Sequence, residues 1–181
     1  MVNEEKKAIR RLINSKKKLI DFEFKQEASK LVFEKLLQLE HWNNAKKILV
    51  YYSLPDELQT SDEIDNLSDK EIYLPKIVGD DLYIVKYDKE KMEVGKFNVM
   101  EPSSEDYISS DNLDLIIVPG VAFDFKKNRL GRGKGYYDRL LSSTSAVKIG
   151  ICYDFQLLEN VPTDLHDIKM DIIITPNNII Y

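Results

Sequence analysis

Four short apolar runs set the fold class of this chain. They are K-I-L-V-Y-Y-S-L at 47–54, L-D-L-I-I-V at 113–118, Val147 to Cys152, and D-I-I-I-T at 171–175. Their β-branched and aromatic content reads as buried strand, and Pro55 and Pro119-Gly120 stop the first two. Helical signals lie between them. Ile9, Leu12, Ile13 and Leu19/Ile20 recur near helical spacing over 5–20, as do Phe24, Ala28, Leu31, Leu36 and Leu39 over 22–40. Thr60 before Asp62 and Glu63 predicts a short helix near 61–67, and Tyr136 to Leu141 reads as another. Apolar strands alternating with helices predict an α/β sandwich with a mainly parallel sheet. Glu71–Leu74 and Leu82–Lys86 read as shorter strands around a turn at Gly79-Asp80-Asp81. The polar stretch 88–112, with Gly95 and Pro102, reads as a loop or insertion.

Length and composition narrow the class further. The chain has 181 residues, enough for one domain, 1–181, whose core needs no covalent staple. A single cysteine, Cys152, excludes an internal disulfide and a Cys-based zinc site. It reads as an inert core thiol. His41, His166 and Trp42 read as structural. No apolar run approaches a membrane span, and Met1 to Arg11 lacks the apolar stretch of a signal peptide. A cytoplasmic enzyme or binding domain is expected.

Charge is unevenly placed. The net charge is −5, yet residues 1–20 carry seven basic and two acidic side chains. Residues 126–139 carry six basic side chains against Asp138 alone. These two clusters hold +10, so the rest of the chain holds −15. Two basic clusters on an acidic chain suit a focused anion site better than a nucleic-acid track. On charge alone the first cluster suits a solvated helix face better than a ligand site.

The segment P-G-V-A-F-D-F-K-K-N-R-L-G-R-G-K-G-Y-Y-D-R, 119–139, holds four of the seven glycines. Gly131, Gly133 and Gly135 alternate with Arg132 and Lys134. Glycines let backbone N–H groups converge on a ligand, and the cations add charge at the same place. A helix starting near Tyr136 would aim its free N–H groups at the loop. This predicts a phosphate cradle. It is neither a Walker A loop, because Gly135 follows Lys134, nor a dinucleotide fingerprint, because the pattern is G-x-G-x-G. Asp138 could carry Mg²⁺ on phosphate oxygens, or simply charge a helix start or pair with Arg132 or Arg139. Asp171 opens a strand, so it either caps a turn or joins the same metal site.

P-G-V-A-F-D followed by R-L-G-R-G-K-G-Y-Y-D-R resembles the 5-formyltetrahydrofolate cyclo-ligase, or methenyltetrahydrofolate synthetase, family. Lys6-x-x-x-Arg10, Y-Y-S-L-P-D-E-L-Q-T at 51–60, Y-L-P-K at 73–76 and M-D at 170–171 extend the likeness over nearly the whole chain. The resemblance implies a three-layer α/β/α sandwich. It also implies ATP-dependent ring closure of 5-formyltetrahydrofolate to 5,10-methenyltetrahydrofolate, with ADP and phosphate released. By position it implies that Lys6, Arg10, Arg129, Leu130, Gly131, Arg132, Gly133, Lys134, Gly135, Tyr136 and Tyr137 bind ATP. Tyr52 and Glu57 match folate-contacting positions, with Arg132 to Tyr136 at the junction of the two substrates. Arg132, Lys134 and Tyr136 are the implied catalytic residues, and Asp138 and Asp171 the implied Mg²⁺ positions. Without the resemblance, Tyr52 reads as a strand aromatic and Glu57 as a turn acid.

Two other readings use the same loop. One is a non-catalytic ATP-binding sensor of the same fold. The other is an RNA binder stacking bases on Tyr136 and Tyr137, which the acidic remainder opposes. The expected partners are small molecules, with neither nucleic acid nor membrane, and the expected state is a monomer.

Overall fold

The computed structural model describes residues 2–67, 69–95 and 99–181. Among them the chain opens with helices α1 (Val2–Lys17), α2 (Phe22–Leu37) and α3 (Glu40–Asn44). There follow strand β1 (Lys47–Leu49), helix α4 (Ser61–Ile64), and strands β2 (Glu71–Val78) and β3 (Asp81–Lys86). Strands β4 (Met92–Val94), β5 (Met100–Pro102) and β6 (Tyr107–Ile108) occupy the stretch expected to be a loop. Residues 96–98 of that expected loop lie outside the described residues. Strands β7 (Leu115–Val118), β8 (Ala122–Asp124) and β9 (Arg129–Leu130) precede helix α5 (Tyr136–Leu141). The chain closes with β10 (Val147–Ile151), β11 (Leu157–Leu158), β12 (Ile172–Ile174) and β13 (Ile179–Ile180).

Eight strands form one sheet in the order β13-β12-β10-β7-β1-β2-β3-β6. The four apolar runs are its centre, β12, β10, β7 and β1, and each adjacent pair among them is parallel. β2 extends the parallel set, and β3, β6 and β13 cover the edges antiparallel. Alternation sorts the side chains onto two faces. Ile48, Leu115, Ile117, Ile149, Ile151, Ile172 and Ile174 pack with Ala28, Val32, Phe33 and Leu36 of α2 and with Trp42 of α3. Leu49, Ile116, Val118 and Ile173 face the other way, toward Leu140 and Leu141 of α5. Helices on both faces make this the mainly parallel α/β/α sandwich that the strand pattern implied.

The long loop after β7 is more ordered than its glycines suggest. β8 and β9 form a hairpin, and β11 joins β8 in parallel to make a second, three-stranded sheet. This sheet packs through Val121, Ala122 and Leu130 against Ile13 of α1. Phe123 locks it to the large sheet. A Cβ at Gly120 or at Gly150 would stand 2.5 Å from the Phe123 ring, so both positions must stay without one. Among the described residues no helix is long and apolar enough to cross a membrane.

Candidate functional site

The face that α1 buries is only partly the apolar one expected from its sequence, since Ile9 and Ile13 pack inward but Leu12 does not. Leu12 is 51% exposed and Leu19 86%, while Lys6, Ile13 and Lys17 are buried. Lys6, Arg10, Ile13 and Lys17 fall at i, i+4, i+7 and i+11, one face of a helix. Ile13, with Ile9 beside it, docks on the apolar cluster of the small sheet. The cations of the same face dock on carboxylates and on the glycine loop.

Lys6 Nζ stands 2.8 Å from Asp164 Oδ2 and 2.5 Å from Asp167 Oδ2. Burial opposes the Lys6 charge, but the two carboxylates outweigh it and hold its pKa above the ordinary lysine value. Arg10 donates from Nε to the carbonyl of Gly131 at 2.9 Å. The two cationic segments, 121 residues apart at this contact, therefore converge in space. Gly133 has φ +100° and Gly135 φ +71°, values that a side chain would resist. A Cβ at Gly133 would also reach the Arg10 guanidinium at 3.4 Å.

Arg129 is buried under the loop. Its Nη2 donates to Asp138 Oδ1 at 2.7 Å and its Nη1 to the Pro119 carbonyl at 3.3 Å. Its guanidinium lies 5.7 Å from the Tyr137 ring centre. Asp138 thus pairs with Arg129, and with neither Arg132 nor Arg139, the partners expected for it. Arg139 turns away to Asp81 at 2.9 Å and covers the Tyr136 ring at 5.4 Å. Arg129 Nε and the Tyr137 hydroxyl are buried without a partner among the described residues. Burial and the nearby Glu57 charge push the Tyr137 phenol up, with Arg129 opposing them, so it stays protonated.

The turn after β1 carries the other half of the site. Glu57 is buried, its backbone carbonyl accepts from the Tyr153 hydroxyl at 2.9 Å, and its Oε2 accepts from the Leu54 N–H at 3.1 Å. Arg132 Nη2 bridges Asp56 Oδ1 at 2.7 Å and Glu57 Oε1 at 3.1 Å. Lys17 Nζ reaches Asp56 Oδ2 at 3.3 Å. Burial would raise the Asp56 pKa, but Lys17 and Arg132 prevail and hold it below the ordinary value. Arg132, despite its burial, is held above its ordinary value by Glu57 and Asp56.

These groups line one cleft of about 690 Å³. Lys6, Arg10, Arg129 to Asp138, Tyr52 and Glu57 all contribute to it. Every residue marked by the sequence as a nucleotide or folate contact therefore reaches the same space. Pro75 and Ile77 of β2, Leu82 of β3 and Met100 of β5 add an apolar wall. Asp56, Asp164, Asp167 and Glu101 also line it, and sequence reasoning missed them. Asp56 had a signal, since it adjoins Glu57; Asp164 and Asp167 sit in an irregular loop with none.

Asp171 does not join this cleft. It precedes β12, at the N-terminal edge of the parallel sheet, whereas Tyr51-Tyr52 and Pro119-Gly120 follow the C-terminal ends of β1 and β7. Its carboxylate accepts from the Lys148 N–H at 2.8 Å and pairs with Lys148 Nζ at 2.9 Å. Of its two expected readings, the structure gives it the capping one, and the pairing of Asp138 with Asp171 is not formed. Among the described residues no group of three or more His, Cys, Asp or Glu could hold a metal unaided. Cys152 is buried, and burial pushes its thiol well up, as expected of an inert core cysteine. His41 and His166 lie on the surface, outside the cleft.

Comparison with known proteins gives one consistent result. A probable 5-formyltetrahydrofolate cyclo-ligase of Schizosaccharomyces pombe is 34% identical over 82% of this chain and 84% of its own length. The 5-formyltetrahydrofolate cyclo-ligase of Escherichia coli is 27% identical over 93% of this chain and 98% of its own. The solution structure of 5,10-methenyltetrahydrofolate synthetase from Aquifex aeolicus is 34% identical and covers 96% of this chain and 91% of that one, with a TM-score of 0.88. The model of the 5-formyltetrahydrofolate cyclo-ligase family matches residues 2–176, and the chain belongs to that family.

Proposed function

We propose that this protein uses ATP to close the ring of 5-formyltetrahydrofolate, giving 5,10-methenyltetrahydrofolate, ADP and phosphate. One observation carries the reading. A single cleft joins the cations of α1, the Gly131–Gly135 loop, an apolar wall from the β2–β3 hairpin, and the acid Glu57. The first two suit a triphosphate; the last two suit a flat, partly polar ring system.

The chemistry needs no enzyme nucleophile. The γ-phosphoryl group passes to the formyl oxygen, and its bond to the ADP oxygen breaks. N10 then attacks the phosphorylated imidate carbon and loses its proton, and the bond from carbon to the phosphate oxygen breaks. Both reacting partners are substrate atoms, so the protein's task is placement and charge neutralisation. Lys6, Arg10, Arg132, Lys134 and the loop N–H groups supply that neutralisation. Tyr136 lines the junction between the two substrates. Arg129 and Leu130 anchor the loop from beneath, while Tyr137 offers its unpaired hydroxyl. Glu57, fixed by Arg132 and the Leu54 N–H, orients the folate ring, and Tyr52 packs beside it.

Magnesium bound to the triphosphate would add neutralising charge. The cleft carboxylates Asp138, Asp164 and Asp167 fit an ion held largely by phosphates and water, which takes only one or two protein oxygens. A monomeric, cytoplasmic domain acting on two small molecules completes the proposal. Its support is a cleft that the segments 1–20 and 126–139, each with a local net charge of +5, reach together.

The test mixes protein, Mg-ATP and 5-formyltetrahydrofolate and follows the methenyl chromophore. ATP should be consumed only when the folate is present. ATP binding with no product would instead favour the sensor reading. Tight, steeply salt-dependent binding to single-stranded RNA would favour the third.

A further inference from the structure

Lys17 does not line the main cleft, yet it begins a chain of charges that ends there. Its side chain is 3% exposed, and its ammonium faces Asp56 Oδ2 at 3.3 Å. The other oxygen of Asp56 takes Arg132 at 2.7 Å. Arg132 in turn reaches Glu57 Oε1 through Nε at 3.3 Å and Nη2 at 3.1 Å. Lysine, aspartate, arginine and glutamate thus alternate in sign from the underside of α1 to the cleft.

Arg132 has a weak mount of its own. It stands between Gly131 and Gly133, and its side chain is 45% exposed. Its hydrogen bonds go to the two carboxylates of Asp56 and Glu57, so its direction depends on what holds them. Glu57 is held by the Leu54 N–H. Asp56 is half-exposed at the tip of a turn, and Lys17 is the group that takes its second oxygen. With that oxygen engaged, only Oδ1 faces Arg132. A buried ion pair is a poor source of net stability, because replacing the whole pair by apolar side chains of similar volume is often neutral or better. Its place here asks for another role.

We infer that Lys17 is a positioning residue. It fixes the Asp56 carboxylate, and Asp56 fixes the Arg132 guanidinium against Glu57 where the two substrates meet. Lys17 touches neither substrate. The kinetic consequence rests on the cyclo-ligase reading; the effect on Arg132 does not.

Two variants approach the chain from its two sides, Lys17→Met within the fold and Asp56→Asn at the half-exposed turn. The first readout is solvent exchange of the Arg132 Nε–H by nitrogen-edited NMR at mildly acidic pH, with Arg132→Lys assigning the signal. Exchange should speed by about fivefold or more in both variants, the mark of a lost hydrogen-bonded position. Unchanged exchange in a folded Lys17→Met protein overturns the proposal whatever the activity. If that variant does not fold, Asp56→Asn decides by the same criterion. The second readout is steady-state kinetics. In each single variant kcat should fall about tenfold while KM for ATP stays within about twofold. The double variant should be no slower than the slower single. Losses that multiply in the double, or a lowered melting temperature with wild-type kcat, overturn the proposal. A wild-type protein that makes no methenyl product sinks the cyclo-ligase reading instead, and the exchange measurement still decides the positioning role.

Discussion

Lys6 and Lys17 sit on the same face of α1, and both are nearly out of water, with side chains 8% and 3% exposed. Their pKa values move in opposite directions. Lys6 is raised, because two carboxylates within 2.8 Å exceed the penalty of burial. Lys17 is lowered, because burial exceeds what Asp56 and Glu57 return, and Arg132 pushes the same way as burial. The difference teaches that depth alone does not decide whether a buried ammonium is gripped or merely tolerated. The number of close carboxylates and the sign of the next charge decide it. Lys6 is a charge held by two acids. Lys17 is a strained charge that steers a neighbour.

The harshest way to break this contrast is to remove the held charge. Lys6→Met leaves Asp164 and Asp167 facing each other without a cation. It should raise KM for ATP by roughly a hundredfold and lower unfolding free energy by about 2 kcal/mol, a buried-pair loss discounted for the half-exposed Asp164. Steady-state kinetics and urea unfolding check both numbers, and an unchanged KM would remove Lys6 from the nucleotide site. Next comes Arg132→Ala. Turnover should fall by about a hundredfold, while the melting temperature moves by no more than about 3 °C, since the side chain is half in solvent. Near wild-type turnover with a depressed melting temperature would refute its catalytic role.

A finer test uses alkaline pH. The raised Lys6 lends stability that is complete below its ordinary pKa of 10.5 and is lost as pH climbs through the higher folded value. The lowered Lys17 works in reverse, since stability is gained between its folded pKa and 10.5 as the folded chain sheds that proton first. Unfolding free energies from about pH 8 to 11 should therefore fall less steeply in Lys6→Met than in wild type, and more steeply in Lys17→Met. Parallel curves would mean the two lysines are not different in kind. The smallest effect is expected at Asp171. Asp171→Asn should leave the Mg²⁺ concentration for half-maximal rate unchanged, because its carboxylate caps Lys148 at the far edge of the sheet. A shifted metal requirement would bring Asp171 back to the site.

The sheet was legible because its centre obeys one rule. Ile116, Ile117, Ile149 and Ile173 are buried whichever face they take, so the strands read as unbroken apolar runs. The β4–β5 hairpin was not legible, because Met92, Glu93, Glu101 and Pro102 show no period of their own. Within the site, the glycine loop announced itself by composition, and Glu57 and Tyr52 through the family likeness. The face of α1 was legible in part, because Ile9 and Ile13 do pack inward, while the buried Lys6 and Lys17 beside them escape a periodicity weighed on apolar residues. Asp164 and Asp167 were silent since their partner, Lys6, lies at the other end of the chain. The two readings of Asp171, a cap or a metal position, could not be separated for a plain reason. A strand-opening acid looks the same in sequence whichever edge of the sheet it opens from.

Phe123 carries a consequence for how this protein can change over time. Its ring occupies the slot left open by Gly120 and Gly150, one at the lip of the cleft and one inside the large sheet. A single added methyl at either place would push the ring, and the ring would tilt the hairpin that bears Arg129. The catalytic floor and the hydrophobic interior therefore share one keystone. A change in the interior at this point is felt at the lip of the cleft.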